Sequence, residues 1–140
     1  MELPEDIYEK IVTFSESGNE ACEEGDFEVG VHLWSQALAL LPEPASQWEA
    51  YMWLNASIAD AQYALAAFGD ARDSLTRALS GPDGEANGFV HYMMGKSLLK
   101  LEQPNALDHL RQAHSLEGDA LFEADDKEGV AMLALVKASA

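Results

Sequence analysis

At 140 residues and 48% apolar content, the chain is long enough for one globular domain with a buried core. Its 25 acids against eight bases give a net charge of −17, so phosphates would be repelled, which argues against nucleic acid and anionic membrane as partners. A single cysteine, Cys22, excludes an intramolecular disulfide and a cysteine-based zinc site.

The acid excess is uneven: from Glu2 to Glu28, ten acids meet one base, Lys10. The opening stretch MELPEDIYEK lacks the basic flank and apolar run of a signal peptide. Apolar runs such as 37–41 fall far short of the roughly 20 residues that span a bilayer. A reducing, cytoplasmic setting is therefore the expectation.

In chain order, Pro4, Glu5 and Asp6 form a favourable helix start, with proline in the first turn and acids at the positive end of the dipole. Ile7, Ile11, Phe14 and Gly18 fall on one face, and the spacing predicts a helix over 4–24 closed by Gly25 in a left-handed cap. Asp26 is placed to cap a second helix over 27–40, stopped by Pro42 and Pro44. Gly18 and Gly30 lie one on each helix. A helical glycine costs up to about 1 kcal/mol against alanine, so close backbone approach is the expected reason for both. Ser46 with Glu49 reads as a capping box that starts a long third helix reaching Ala67. Phe68, Gly69 and Asp70 then read as a turn before a helix over 70–79 carrying Ala71, Leu75 and Ala78. After the turn signal at 80–84, His91, Met94, Gly95 and Leu98 mark a fifth helix. Ala106, Leu110 and Ala113 mark a sixth, with Pro104 expected in its first turn and Gly118 at its end. Asp125 with Glu128 reads as another capping box, ahead of the apolar run Val130, Met132, Leu133, Leu135 and Val136.

The segment 14–42, with Phe14, Gly18, Gly25, Asp26, Phe27, Gly30, Trp34, Ala37 and Pro42, resembles the tetratricopeptide repeat, whose period is about 34 residues. Two further copies follow. Ala37 to Ala78 spans 41 residues and Ala78 to Ala113 spans 35. The second copy is the weakest, because Asn55 stands where the repeat has an aromatic. The resemblance implies an all-α solenoid in one domain over 1–140. Its repeats would lie at about 4–42, 46–81 and 86–117, with a capping helix over about 121–138 covering the last apolar face.

The residues offer no catalytic constellation. His32, His91, His109 and His114 are not paired at helical spacing, and Cys22 lies among acids that would raise its thiol pKa. The glycines of 81–88 lack the lysine of a phosphate loop, and 125–128 lacks the ligand pattern of a calcium loop. No enzyme, cofactor or metal is expected.

The resemblance implies instead a protein-binding concave face lined by the first helix of each repeat. By register, this face holds Asn19 and Glu23, then Trp53, Asp60 and Tyr63, then Phe89, Tyr92, Lys96 and Lys100. Glu16, Glu20, Glu24, Asp26 and Glu28 form a candidate acidic patch beside it. Chaperone-binding members of the family hold a C-terminal carboxylate with a basic cluster on this face. Here Asn19 matches, but Ser15, Phe89 and Met93 occupy the cationic slots and only Lys96 and Lys100 are basic, which argues against an acidic tail as ligand. Small size and acidity are similar to those of bacterial immunity proteins, implying an adaptor or inhibitor that occludes a basic partner such as a cognate toxin. The alternatives are a chaperone or scaffold that takes an amphipathic peptide in an aromatic groove, and a homo-oligomer joined through 130–136.

Overall fold

The computed structural model describes residues 2–139. Eight α-helices and one 3-10 turn account for most of them, and no strand occurs among the described residues. The helices are α1 (Glu5–Glu23), α2 (Phe27–Ala39), α3 (Glu49–Ala64), α4 (Phe68–Ser80), α5 (Gly88–Lys100), α6 (Ala106–Glu117), α7 (Asp119–Glu123) and α8 (Asp126–Ala138). Within the first six, α1 packs on α2, α3 on α4 and α5 on α6, while α2 meets α3 and α4 meets α5 between pairs. That is the layout of an α-solenoid, capped by α7 and α8 against α6.

Small residues set against large ones bring each pair together. A Cβ built on Gly18 would fall 2.5 Å from the Trp34 indole nitrogen, and one on Gly95 would fall 2.6 Å from Leu110. The equivalent position on α3 is Ala59, fully buried in the same core as Leu75 of α4. A Cβ on Gly30 would lie 3.3 Å from the Gly18 carbonyl, so the two glycines do mark a close crossing. Trp34 is anchored further by its indole N–H, which donates to the Ser15 carbonyl at 3.2 Å.

Helix α3 belongs to two cores at once. Leu54, Ile58 and Ala61 pack with Ile11 and Trp34, while Ala56 and Ala59 pack with Leu75, Val90 and Met93. Asn55, which stands in the aromatic slot, is fully buried and satisfied. Its amide donates to the Tyr51 carbonyl at 2.8 Å and its oxygen accepts from Arg77 Nε at 3.2 Å. A polar bridge has replaced an aromatic contact.

Several local expectations are corrected. Helix α3 starts at Glu49, not Ser46: residues Ala45–Gln47 form the 3-10 turn, and Trp48 is extended with its indole donating to the Pro42 carbonyl at 2.8 Å. It also ends early, at Ala64, because Ala66 takes a left-handed φ of 60°. Phe68, Gly69 and Asp70 are therefore the first turn of α4 and not a loop. Pro104 lies in the turn before α6, where Asn105 is left-handed at φ 74°. Asp26 and Asp125 occupy N-cap positions without donating or accepting a capping side-chain bond. Gly25 and Gly118 do end their helices as expected, Gly25 with the positive φ of a left-handed cap and Gly118 with a positive φ as well. Of the C-terminal apolar run, Val136 is buried, whereas Val130 and Leu135 face solvent.

Candidate functional site

The first helices of the three pairs, α1, α3 and α5, carry the residues assigned by register to the concave face. Asn19 and Glu23 on α1, Asp60 on α3, and Phe89 and Lys100 on α5 are exposed, while Trp53 and Tyr63 are half-buried. Asp60 sits opposite Cys22. Burial pushes the Cys22 thiol up, and the Asp60 charge adds to it, rather than the acids of its own helix. The Asp60 carboxyl is itself held above its ordinary value by partial desolvation, with Lys96 pulling it down and Asp125 pushing it up.

Tyr92 and Lys96 do not face an open groove. Lys96 is only 4% exposed and its ammonium donates to Asp125 Oδ2 and Glu128 Oε1, both at 2.7 Å. The Tyr63 and Tyr92 rings lie beneath it, 4.4 Å and 4.9 Å from the ammonium. The Tyr92 hydroxyl donates to Asp125 and the Tyr63 hydroxyl to Glu128 at 2.9 Å. Burial, followed by these hydrogen bonds to carboxylates, pushes both phenols well above their usual range. Burial works upward on Glu128 too, but the hydrogen bonds from Lys96 and Tyr63 outweigh it and hold this carboxyl low. The corner between α7 and α8 therefore covers the α5 residues assigned by register to the concave face with the protein's own acids. Sequence reasoning missed Asp125 and Glu128 because a capping-box spacing explained them locally, while their partner lies about thirty residues away on α5.

The opposite end stays open. Between the starts of α1 and α3 lies a cavity of about 810 Å³, lined by Tyr8, Ile11, Trp48, Ala50 and Trp53 with Glu2, Glu5 and Glu49. Glu49 lies one turn before Trp53 and Tyr8 about three turns before Asn19, so the same register, extended backwards, finds them. Charge follows the same polarity. Up to Ala71 there are fourteen acids and one base, and beyond it eleven acids and seven bases. Every ion pair among the described residues lies between Arg72 and Lys137. Glu16, Glu20, Glu24, Asp26 and Glu28 are all exposed, and none is paired among the described residues.

The histidines hold structure together. His91 Nε2 donates to the Glu85 carbonyl at 2.8 Å, and its Nδ1 pairs with His109 Nδ1 at 3.1 Å. Burial, then the neighbouring His91, lowers the His109 pKa. His114 contacts Asp119 at 2.6 Å, and His32 is exposed. No group of three or more metal-ligating side chains occurs among the described residues, and none of the described helices is long and apolar enough to cross a membrane.

No protein-family model matches the sequence. No curated protein matches it either. Solved structures do. The first TPR of Spaghetti (RPAP3), bound to the HSP90 peptide SRMEEVD, superposes with a TM-score of 0.71 at 16% identity, over 94% of this chain and 93% of that one. The second TPR domain of human RPAP3, in complex with the HSP70 peptide SGPTIEEVD, gives 0.71 at 17% identity over 94% and 98%. The Arabidopsis OM64 TPR domain gives 0.73 at 18% identity over 96% and 99%. With small-against-large helix pairs repeated three times and this agreement over almost the whole length, the chain has the tetratricopeptide-repeat fold.

Proposed function

We propose that the chain is a protein-interaction module, without enzymatic activity, that binds and occludes a basic protein partner through its N-terminal half. The observation that carries this reading is the segregation of charge: among the described residues, the acids before Ala71 are exposed and unpaired and the ion pairs all lie after it. Such a field speeds encounter with a cationic surface and disfavours acidic competitors. Two of the similar structures hold peptides ending in EEVD. This chain supports the opposite preference, because Lys96 is already neutralised by Asp125 and Glu128 and only Lys100 remains exposed in the register. The most concrete form is an immunity-protein-like inhibitor of a cationic toxin, with a small acidic solenoid covering the toxin's basic site. A second reading, an amphipathic peptide in an aromatic groove, is favoured by half-buried Trp53 and exposed Phe89.

Affinity purification from the native source, identification of the partner by mass spectrometry and titration at rising salt test this. A basic partner whose association rate falls steeply with salt is expected. An acidic or neutral partner, or affinity indifferent to salt, refutes it.

A further inference from the structure

The open cavity at the start of α1 and α3 has walls and rim of different chemistry. Tyr8, Trp48 and Trp53 supply aromatic surface, and Glu2, Glu5 and Glu49 supply carboxylates. No lysine, arginine or histidine lines it, and none of its three carboxylates joins an ion pair among the described residues. At about 810 Å³ it falls within the roughly 300–1,000 Å³ range of ligand pockets. The two helix starts contribute about half a positive charge each, which three carboxylates more than cancel. An anion would be repelled there, and a wholly apolar ligand would leave the rim unused.

A side chain with an aliphatic stem and a cationic head meets both surfaces. Arginine fits better than lysine: its planar guanidinium stacks on indole faces, engages carboxylates in pairs and is more weakly hydrated. We propose that this pocket receives an arginine side chain from a basic segment of the protein partner, the stem along the aromatic wall and the guanidinium at the acidic rim. The inference rests on the reading that the partner is basic, and it specifies where that partner is gripped.

Indole N–H resonances of the full chain test it. Trp34 donates to Ser15 away from the pocket and serves as an internal control for Trp48 and Trp53. The probes are a short capped peptide with one central arginine and its citrulline twin, which keeps the shape and removes the charge. The arginine peptide should shift Trp48 and Trp53 and leave Trp34 still, and the citrulline twin should bind about tenfold more weakly. The Glu5→Gln/Glu49→Gln variant should weaken the arginine peptide about tenfold and leave the citrulline peptide unchanged. Equal binding of both peptides, shifts confined to other resonances, or no shift at the highest soluble concentration overturns the proposal. Should the purified basic partner still bind in a salt-dependent way when the peptide fails, the pocket assignment falls and the occlusion reading stands. Loss of salt dependence for partner and peptide alike removes both.

Discussion

Replacing Asp125 and Glu128 with their amides, Asp125→Asn/Glu128→Gln, isolates the electrostatics of the filled end of the groove. Lys96 would keep two hydrogen-bond acceptors of the same shape but lose both negative charges at 2.7 Å, while remaining 4% exposed. Uncompensated buried charges cost about 3–5 kcal/mol. The amide oxygens and the two tyrosine rings still face the ammonium, which places the expected loss near 3 kcal/mol. Against a typical total stability of about 5–15 kcal/mol this is severe, and with a urea slope of about 1–3 kcal/mol/M the midpoint should fall by at least about 1 M. Lys96→Met should cost less, because Asp125 and Glu128 are 38% and 36% exposed and can turn to water. Adding Lys96→Met to the double amide should restore stability, since the buried charge is gone. Urea denaturation followed by far-ultraviolet circular dichroism reads all of this. A double amide within about 0.5 kcal/mol of the parent, or a triple variant no better than the double, would refute the buried-charge account.

Three other outcomes follow from packing and titration. Gly18→Ala gains about 1 kcal/mol of helix propensity but drives a methyl to 2.5 Å from the Trp34 ring, an overpacking cost of about 1–3 kcal/mol. A lowered urea midpoint is expected, whereas a raised one would mean that α1 and α2 can part freely. Arg77→Leu strands the buried Asn55 oxygen and should cost about 1–3 kcal/mol, while Arg77→Leu/Asn55→Leu should recover much of that loss. His109 has its folded pKa depressed below 6.5, so its contribution is complete above that value and is lost as pH falls below it. Denaturation midpoints between neutral pH and pH 5 should drop for the parent and drop less for His109→Gln, even though Glu85 and Asp108 oppose the shift.

The parts of the fold that were legible in the sequence are those fixed by contacts of short reach. Gly18 with Trp34 and Gly95 with Leu110 lie sixteen and fifteen residues apart, within one helix pair, and their spacing survives in the chain as a motif. Asn55 obscured the second copy because the residue that satisfies it, Arg77, lies on the next helix and belongs to no repeat pattern. Ser46 misled for a related reason. A capping-box spacing is a local preference, overridden here by the hydrogen bond that ties the Trp48 indole to Pro42 and delays the helix to Glu49. Asp125 and Glu128 show the same override at longer range, their carboxylates being drawn to Lys96 instead of to backbone amides.

The covered α5 end and the open start of α1 and α3 then have one cause, the uneven placement of eight bases. A lysine that reaches the interior on α5 must be neutralised, and the turn into α8 supplies two acids that close that end. Among the described residues no base lines the cavity where α1 and α3 begin, so its acids remain unmatched around an aromatic wall. Net charge alone would favour any cationic protein. For the basic partner proposed above, the position of the unmatched charge would add a geometric condition: its cation would have to reach the pocket between α1 and α3, where Trp53 and Tyr8 would take the stem that carries it.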